Sequence, residues 1–234
     1  MNPVLPAAAR LQEFFQKRDW KFCIIGGVAV LRWGEVRATQ DVDVTLLTGF
    51  GKEEPFVDEL LAAYPLRPPC TRESALRNRV LLLTGWENTP MDIALGAVPF
   101  EERTVQRSTM WKAEESLILR TCCAEDLLVH KCFANRERDW ADVDGILARQ
   151  WNTLNLKLAR TELKPLADLK EEPEILARLE QKIARHNQPF TRITPSRPRR
   201  KRLQMKPLPA GAPHRRPFAP GETAANRRRF NLLC

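Results

Sequence analysis

The sequence predicts an α/β (α+β) chain: a mixed sheet of four or five strands flanked by helices, then a helical C-terminal part, then a disordered basic tail. Three observations predict it. Apolar runs of strand length, at 22–25, 40–47, 80–84 and 91–95, alternate with segments whose apolar residues recur at helical spacing. Hydrophobic residues make up 43% of the 234, enough for a sizeable core. From residue 187 the periodicity stops, and eight prolines and clusters such as Arg199-Arg200-Lys201-Arg202 take over. Such a segment buries too little surface to offset its ordering entropy. The implied organisation is a main domain at 1–150, helices packed on it at 151–186 and a tail at 187–234.

In order, Leu5, Ala8, Leu11, Phe14 and Phe15 share one side of a helix over 5–20. Residues 22–25 read as a buried strand ended by a Gly26-Gly27 turn, and 28–33 as a short helix beside those glycines. The central strand spans 40–47. A helix over 53–63 follows the Gly49-x-Gly51 loop, and 64–69 is extended because residues before proline avoid helix. Strands at 80–84 and 91–95 flank a turn at 85–90. A short helix covers 100–107 and a strand 116–120. The helix at 125–134 carries Glu125 and Asp126 in its first turn, where the dipole favours acids. Helices over 140–150, 154–164 and 171–185 follow, the second stopped by Pro165.

The net charge of +9 is unevenly placed. Residues 191–234 hold 12 Lys+Arg against the single acid Glu222, whereas the rest of the chain holds 26 bases and 28 acids. The tail reads either as an arm attracting RNA or DNA phosphates through counterion release or as an extension without function; it lacks the interleaved aromatics that would read bases. The longest apolar run, 22–31, is well short of the ~20 residues that span a bilayer, and no charged start precedes an apolar block. A cytoplasmic protein without a membrane partner is expected. The six cysteines, Cys23, Cys70, Cys122, Cys123, Cys132 and Cys234, form no C-x-x-C pair, and with His130 they match no usual zinc spacing. Buried, reduced cysteines and a packing role for His130 are expected.

The chemistry concentrates in 24–44, IIGGVAVLRWGEVRATQDVDV. Strand side chains alternate, so Asp41 and Asp43 share one face while Val42 and Val44 share the other. Neighbouring carboxylates repel, and burying an unpaired one is costly, so the arrangement suits a cation between them. Asp92 sits on a later strand between apolar neighbours. Three acids converging on one sheet face could hold two Mg²⁺ (or Mn²⁺) about 3.5–4 Å apart. Backbone N–H groups at Gly26, Gly27 and the following helix start can then cradle a phosphate. The competing reading is a solvated edge face, because the polar Thr45 lies on the same side.

These residues resemble the nucleotidyltransferase fold of the DNA polymerase β type. Its signature is an apolar residue, G-[GS], about nine to thirteen residues, then D-apolar-[DE]-apolar, with a third acid on a later strand. Here Ile25-Gly26-Gly27 precedes Asp41-Val42-Asp43-Val44, Met91-Asp92-Ile93 fits the third acid, and Arg37-Ala38-Thr39-Gln40 is similar to the family's run before the acids. Many members carry serine where Gly27 stands.

The closer resemblance is to the AbiEii-type nucleotidyltransferases of bacterial toxin–antitoxin systems, over roughly residues 20–150. These add a lysine and an arginine with four residues between them, then an acid, matched by Lys131, Arg136 and Asp139. The resemblance implies a metal-dependent enzyme that uses an NTP, with Lys131 and Arg136 holding the triphosphate and Asp139 orienting one of them. It also brings an RNA acceptor and an antitoxin into view as partners. On an ideal helix Lys131 and Arg136 stand about 140° apart, so they share a face only if the helix ends near Asn135. A catalytically inactive binding module of the same fold is the alternative.

Overall fold

The computed structural model describes residues 3–187, so the tail expected from 187 lies, from 188 onward, outside the described residues. The elements follow in order: α1 Val4–Gln16, β1 Phe22–Ile24, α2 Gly26–Trp33, β2 Val42–Leu47, α3 Glu54–Ala63, α4 Arg72–Asn78, β3 Val80–Thr84, β4 Pro90–Gly96, α5 Pro99–Arg107, β5 Thr109–Glu114, β6 Leu117–Thr121, α6 Ala124–Ala134, α7 Glu137–Gln150, α8 Leu156–Lys170 and α9 Glu174–Asn187. The expected α/β fold with a mixed sheet is present. The strand order is β3-β4-β2-β1-β6-β5, with β2 parallel to β4, β1 parallel to β6, and the remaining neighbours antiparallel.

Side-chain alternation divides the sheet into two working faces. Phe22, Ile24, Val42, Val44, Leu46, Leu81, Leu83, Met91, Ile93 and Leu95 bury one face against α1, α3 and α4 through Leu11, Phe15, Val57, Leu60 and Ala75. The opposite face carries Cys23 and the start of α2, and packs on α5 to α9 through residues such as Phe100, Leu127, Trp140, Ile146, Leu163 and Ile175. Asp43 and Thr45 point to this second face, because Thr45 is the direct partner of Cys23 and Asp43 lies two residues before it.

Four expectations are corrected. The sheet has six strands, because β5 forms an edge hairpin with β6; its side chains are largely exposed, which weakened any apolar signal. The seven-residue α4 was not foreseen, although Thr71 and Ser74 form a reciprocal capping box, with the Ser74 N–H donating to Thr71 Oγ1 at 3.1 Å and the Thr71 N–H to Ser74 Oγ at 2.8 Å. Pro165 lies inside α8 instead of ending it. One lost N–H bond is outweighed there by the burial of Leu163, Leu166 and Ala167 on both sides of it. The helix after the glycines begins at Gly26 itself, two residues earlier than expected.

The thiols of Cys23, Cys122 and Cys132 are buried, and burial pushes those of Cys23 and Cys132 up. Cys123 donates its S–H to Asp126 at 3.1 Å. No helix among the described residues is long and apolar enough to cross a membrane.

One side chain ties α1 to the sheet. The Gln12 amide donates to the Ile118 carbonyl at 2.8 Å, and its oxygen accepts from the Arg120 N–H at 2.7 Å. Gln12→Leu leaves both strand groups without their partner and is expected to cost about 1–3 kcal/mol in chemical denaturation.

Candidate active site

The acids are brought together by strand register. β2 and β4 run parallel, and Asp43 is the direct partner of Asp92, so their side chains leave the same face of adjacent strands. Asp41 stands immediately before β2, with the Thr39 hydroxyl donating to its Oδ1 at 3.2 Å. A small cavity is lined by both Asp43 and Asp92, with Ile25, Val44, Val80 and Ala94 around them. β2 is central in the sheet and Thr45 is fully buried, so a solvated edge face does not describe this strand.

The glycine turn is pressed against the same carboxylate. A Cβ on Gly26 would stand 1.9 Å from Asp43 Oδ2, and Gly26 has φ +56°, so this position demands glycine twice over. The Gly27 N–H, in the first turn of α2, points at Asp43 Oδ2 at 3.4 Å. A Cβ on Gly27 would lie 2.1 Å from Thr39 Oγ1. The hydroxyl of Thr39 thus fills the space that a serine at 27 would use.

Electrostatics follow from this crowding. Burial, then the charges of Asp41 and Asp92, push the Asp43 carboxyl up to about 6, while Lys131 and the Gly27 N–H act in the opposite sense. Burial also raises Asp92, against the pull of Arg67. The Arg67 guanidinium pairs with Asp92 Oδ1.

This pair bears on the expected metal set. Asp41 and Asp43 fit a hard dication: both are oxygen donors, and they stand close enough for the Asp41 charge to raise the Asp43 carboxyl. Asp92 does not fit as it stands, because a cation already engages it. Among the described residues no group of three or more His, Cys, Asp or Glu side chains is arranged to hold a metal ion. The three carboxylates thus stand together on one face of the sheet, with Asp92 alone of the three in an ion pair with Arg67 among the described residues.

Lys131, Arg136 and Asp139 gather at the junction of α6 and α7. The helix ends at Ala134, Asn135 turns the chain in the left-handed region (φ 57°), and Arg136 caps α7. This break puts the lysine and arginine on one side. Lys131 Nζ is buried 3.0 Å from both Asp139 Oδ1 and Asp142 Oδ2, and Arg136 Nε donates to Asp139 Oδ2 at 2.5 Å. Asp139 thus contacts both cations. Arg136 is the accessible one, with its side chain 61% exposed.

Three participants had no role assigned from sequence. Asp142 accepts a bidentate pair from Arg37 at 2.6 and 2.8 Å as well as Lys131, and against burial these cations hold its carboxyl below the ordinary range. Arg37 thereby ties the segment leading to the acids onto α7. Arg67 had no signal, since it belongs to a proline-rich link that only the fold brings beside Asp92. His130 packs as expected: it is fully buried, its ring centroid is 5.0 Å from that of Phe100, and burial lowers it to about 3.

No family model matches the chain, and no curated protein matches it. Among solved structures, an antigenic nucleotidyltransferase-like protein from Paracoccidioides brasiliensis is similar at 14% identity and TM-score 0.44, over 75% of this chain and 91% of that one. The antibiotic-resistance factor ANT(2'')-Ia is similar at 16% identity and TM-score 0.47, over 78% and 97%. The lincosamide antibiotic adenylyltransferase LnuA, in a lincomycin-bound structure, is similar at 15% identity and TM-score 0.41, over 58% and 92%. At such identities and TM-scores the activity has to be read from the site itself.

Because Asp43 is raised above its unfolded value of 3.8 to about 6, it favours the folded state only while protonated, and that contribution is lost as pH rises through about 6. In metal-free buffer Asp43→Asn is expected to be more stable than the wild type at pH 7.5 by about 3 kcal/mol, and the advantage should vanish below about pH 4. Thermal unfolding across pH 4–8 checks this.

Proposed function

We propose that residues 1–150 form a metal-dependent nucleotidyltransferase of the AbiEii-like type, which moves a nucleoside monophosphate from an NTP to a hydroxyl on RNA, protein or a small molecule. One observation carries the reading: Asp43 and Asp92 are register partners on adjacent parallel strands, with Asp41 just before them and the backbone of Gly26 against Asp43. The acceptor oxygen attacks the α-phosphorus, and the bond from that phosphorus to the bridging oxygen of the β-phosphate breaks. Pyrophosphate leaves, and the acceptor proton passes to a carboxylate of the cluster. Mg²⁺ or Mn²⁺ at Asp41 and Asp43 would supply positive charge against the phosphates.

The remaining work belongs to the chain's own groups. Gly26 and Gly27 admit a phosphate close to the N-terminus of α2, whose first-turn N–H groups favour an anion. Arg136, largely exposed, binds the triphosphate, and Lys131 adds charge from a buried position whose field already reaches Asp43. Asp139 and Asp142 hold these cations in place. A rival reading, a catalytically inactive module that binds a nucleotide or serves as half of a toxin–antitoxin pair, draws on the prior neutralisation of Asp92 by Arg67.

Incubation with each labelled NTP, Mg²⁺ and total cellular RNA or protein should label one pool and release pyrophosphate. Asp41→Ala should lower transfer by at least about 10²-fold with the fold intact. Arg136→Ala should raise KM for the NTP about ten-fold with a smaller change in kcat. NTP binding without pyrophosphate release on any acceptor would favour the inactive module.

A further inference from the structure

The row of residues across the sheet does not stop at the acids. Asp43 is the register partner of Asp92 on β4, and Asp92 is the partner of Leu82 on β3. The Arg67 N–H donates to the Leu82 carbonyl at 2.9 Å, on the outer side of β3. The Thr84 N–H donates to the Pro65 carbonyl at 2.9 Å, and Leu66 bridges to Leu83. The segment 65–67 is therefore fastened along β3 like a further short strand, and Arg67 reaches over Leu82 to the Asp92 carboxylate. Its side chain is only 31% exposed, and its Nε–H is buried without a hydrogen-bond partner among the described residues.

We propose that Arg67 is the fixed cation at Asp92, so that the site takes one divalent ion, at Asp41 and Asp43, in place of two. The inference rests on the nucleotidyltransferase reading above and concerns how its charge is supplied. A guanidinium stays protonated throughout the accessible pH range, so it remains an ion-pair partner of Asp92 across that range. A dication placed on Asp92 would have to displace it or sit beside a like charge in a partly desolvated site. Among the described residues neither Asp41 nor Asp43 forms a salt bridge. The unspent Nε–H is a desolvated donor in the same region, and an oxygen of the bound substrate is the kind of group that would satisfy it. Arg67 would thus occupy Asp92 from the protein side and offer a donor to what binds next.

The test is Mn²⁺ titration of the full chain followed by the electron paramagnetic resonance signal of free Mn²⁺, with Asp43→Asn subtracting ions bound elsewhere. The wild type should bind one site-specific ion and Arg67→Met two, with the second lost again when Asp92→Asn is added. Asp92→Asn alone should leave the single ion in place, and this variant carries the test if Arg67→Met fails to fold. Two ions in the wild type, one in folded Arg67→Met, or loss of the single ion in Asp92→Asn would each overturn the role of Arg67 while leaving a metal site standing. No site-specific ion in any variant would overturn the metal-dependent reading itself.

Discussion

The contact between the Asp43 carboxylate and the backbone of Gly26 is the constraint on which the rest depends. A side chain at position 26 would overlap Asp43 Oδ2 at 1.9 Å, so strand β2 and helix α2 can pack at this distance only through a glycine. That packing brings the amide end of a helix onto the same few ångströms as a cluster of carboxylates. An amide end favours an anion and a carboxylate pair favours a cation, so the two together suit a metal–phosphate ligand better than either ion alone. The cost is visible in the protein by itself: burial, with the charges of Asp41 and Asp92, raises Asp43 to about 6 against the pull of Lys131 and the Gly27 N–H.

Alternation on the central strands converts this local contact into a site. Val42, Val44, Leu46, Met91, Ile93 and Leu95 fill one core, and that burial fixes the register of β2 against β4. Once the register is fixed, Asp43 and Asp92 must stand side by side on the other face. A slip of β2 by one residue would drive Asp43 into the apolar core and bring its apolar residues out of it, so the hydrophobic pattern and the acid placement enforce each other. The helices of the second core then decide what meets the acids. α6 ends at Asn135, and this break allows Lys131 and Arg136 to converge on Asp139 while Arg37 anchors the preceding segment to Asp142.

The sequence made the sheet legible wherever residues repeat with a period, and for physical reasons it concealed what depends on long-range approach. The alternation forecast that Asp43 would face away from Val42 and Val44, and the glycine pair forecast a close backbone approach, whereas Asp41, expected on the strand, stands just before it. The six-stranded extent was hidden because β5 is an exposed edge strand with few apolar positions. Pro165 misled because its local penalty is outweighed by burial that no short window shows. Arg67 was invisible as a site residue because its placement comes from two backbone bonds to β3 and a register it does not itself carry. The demand for glycine at 27 is likewise a contact with Thr39, twelve residues away, that spacing alone cannot express.

The most direct measurement is a crystal structure of the full chain grown with Mg²⁺ and a non-hydrolysable NTP analogue. The account predicts an ion on the carboxylates of Asp41 and Asp43, and a phosphate oxygen accepting from the first-turn amides of α2 beside Gly27. An analogue bound with its phosphates away from these acids, or an ion that leaves Asp43 untouched, would contradict it.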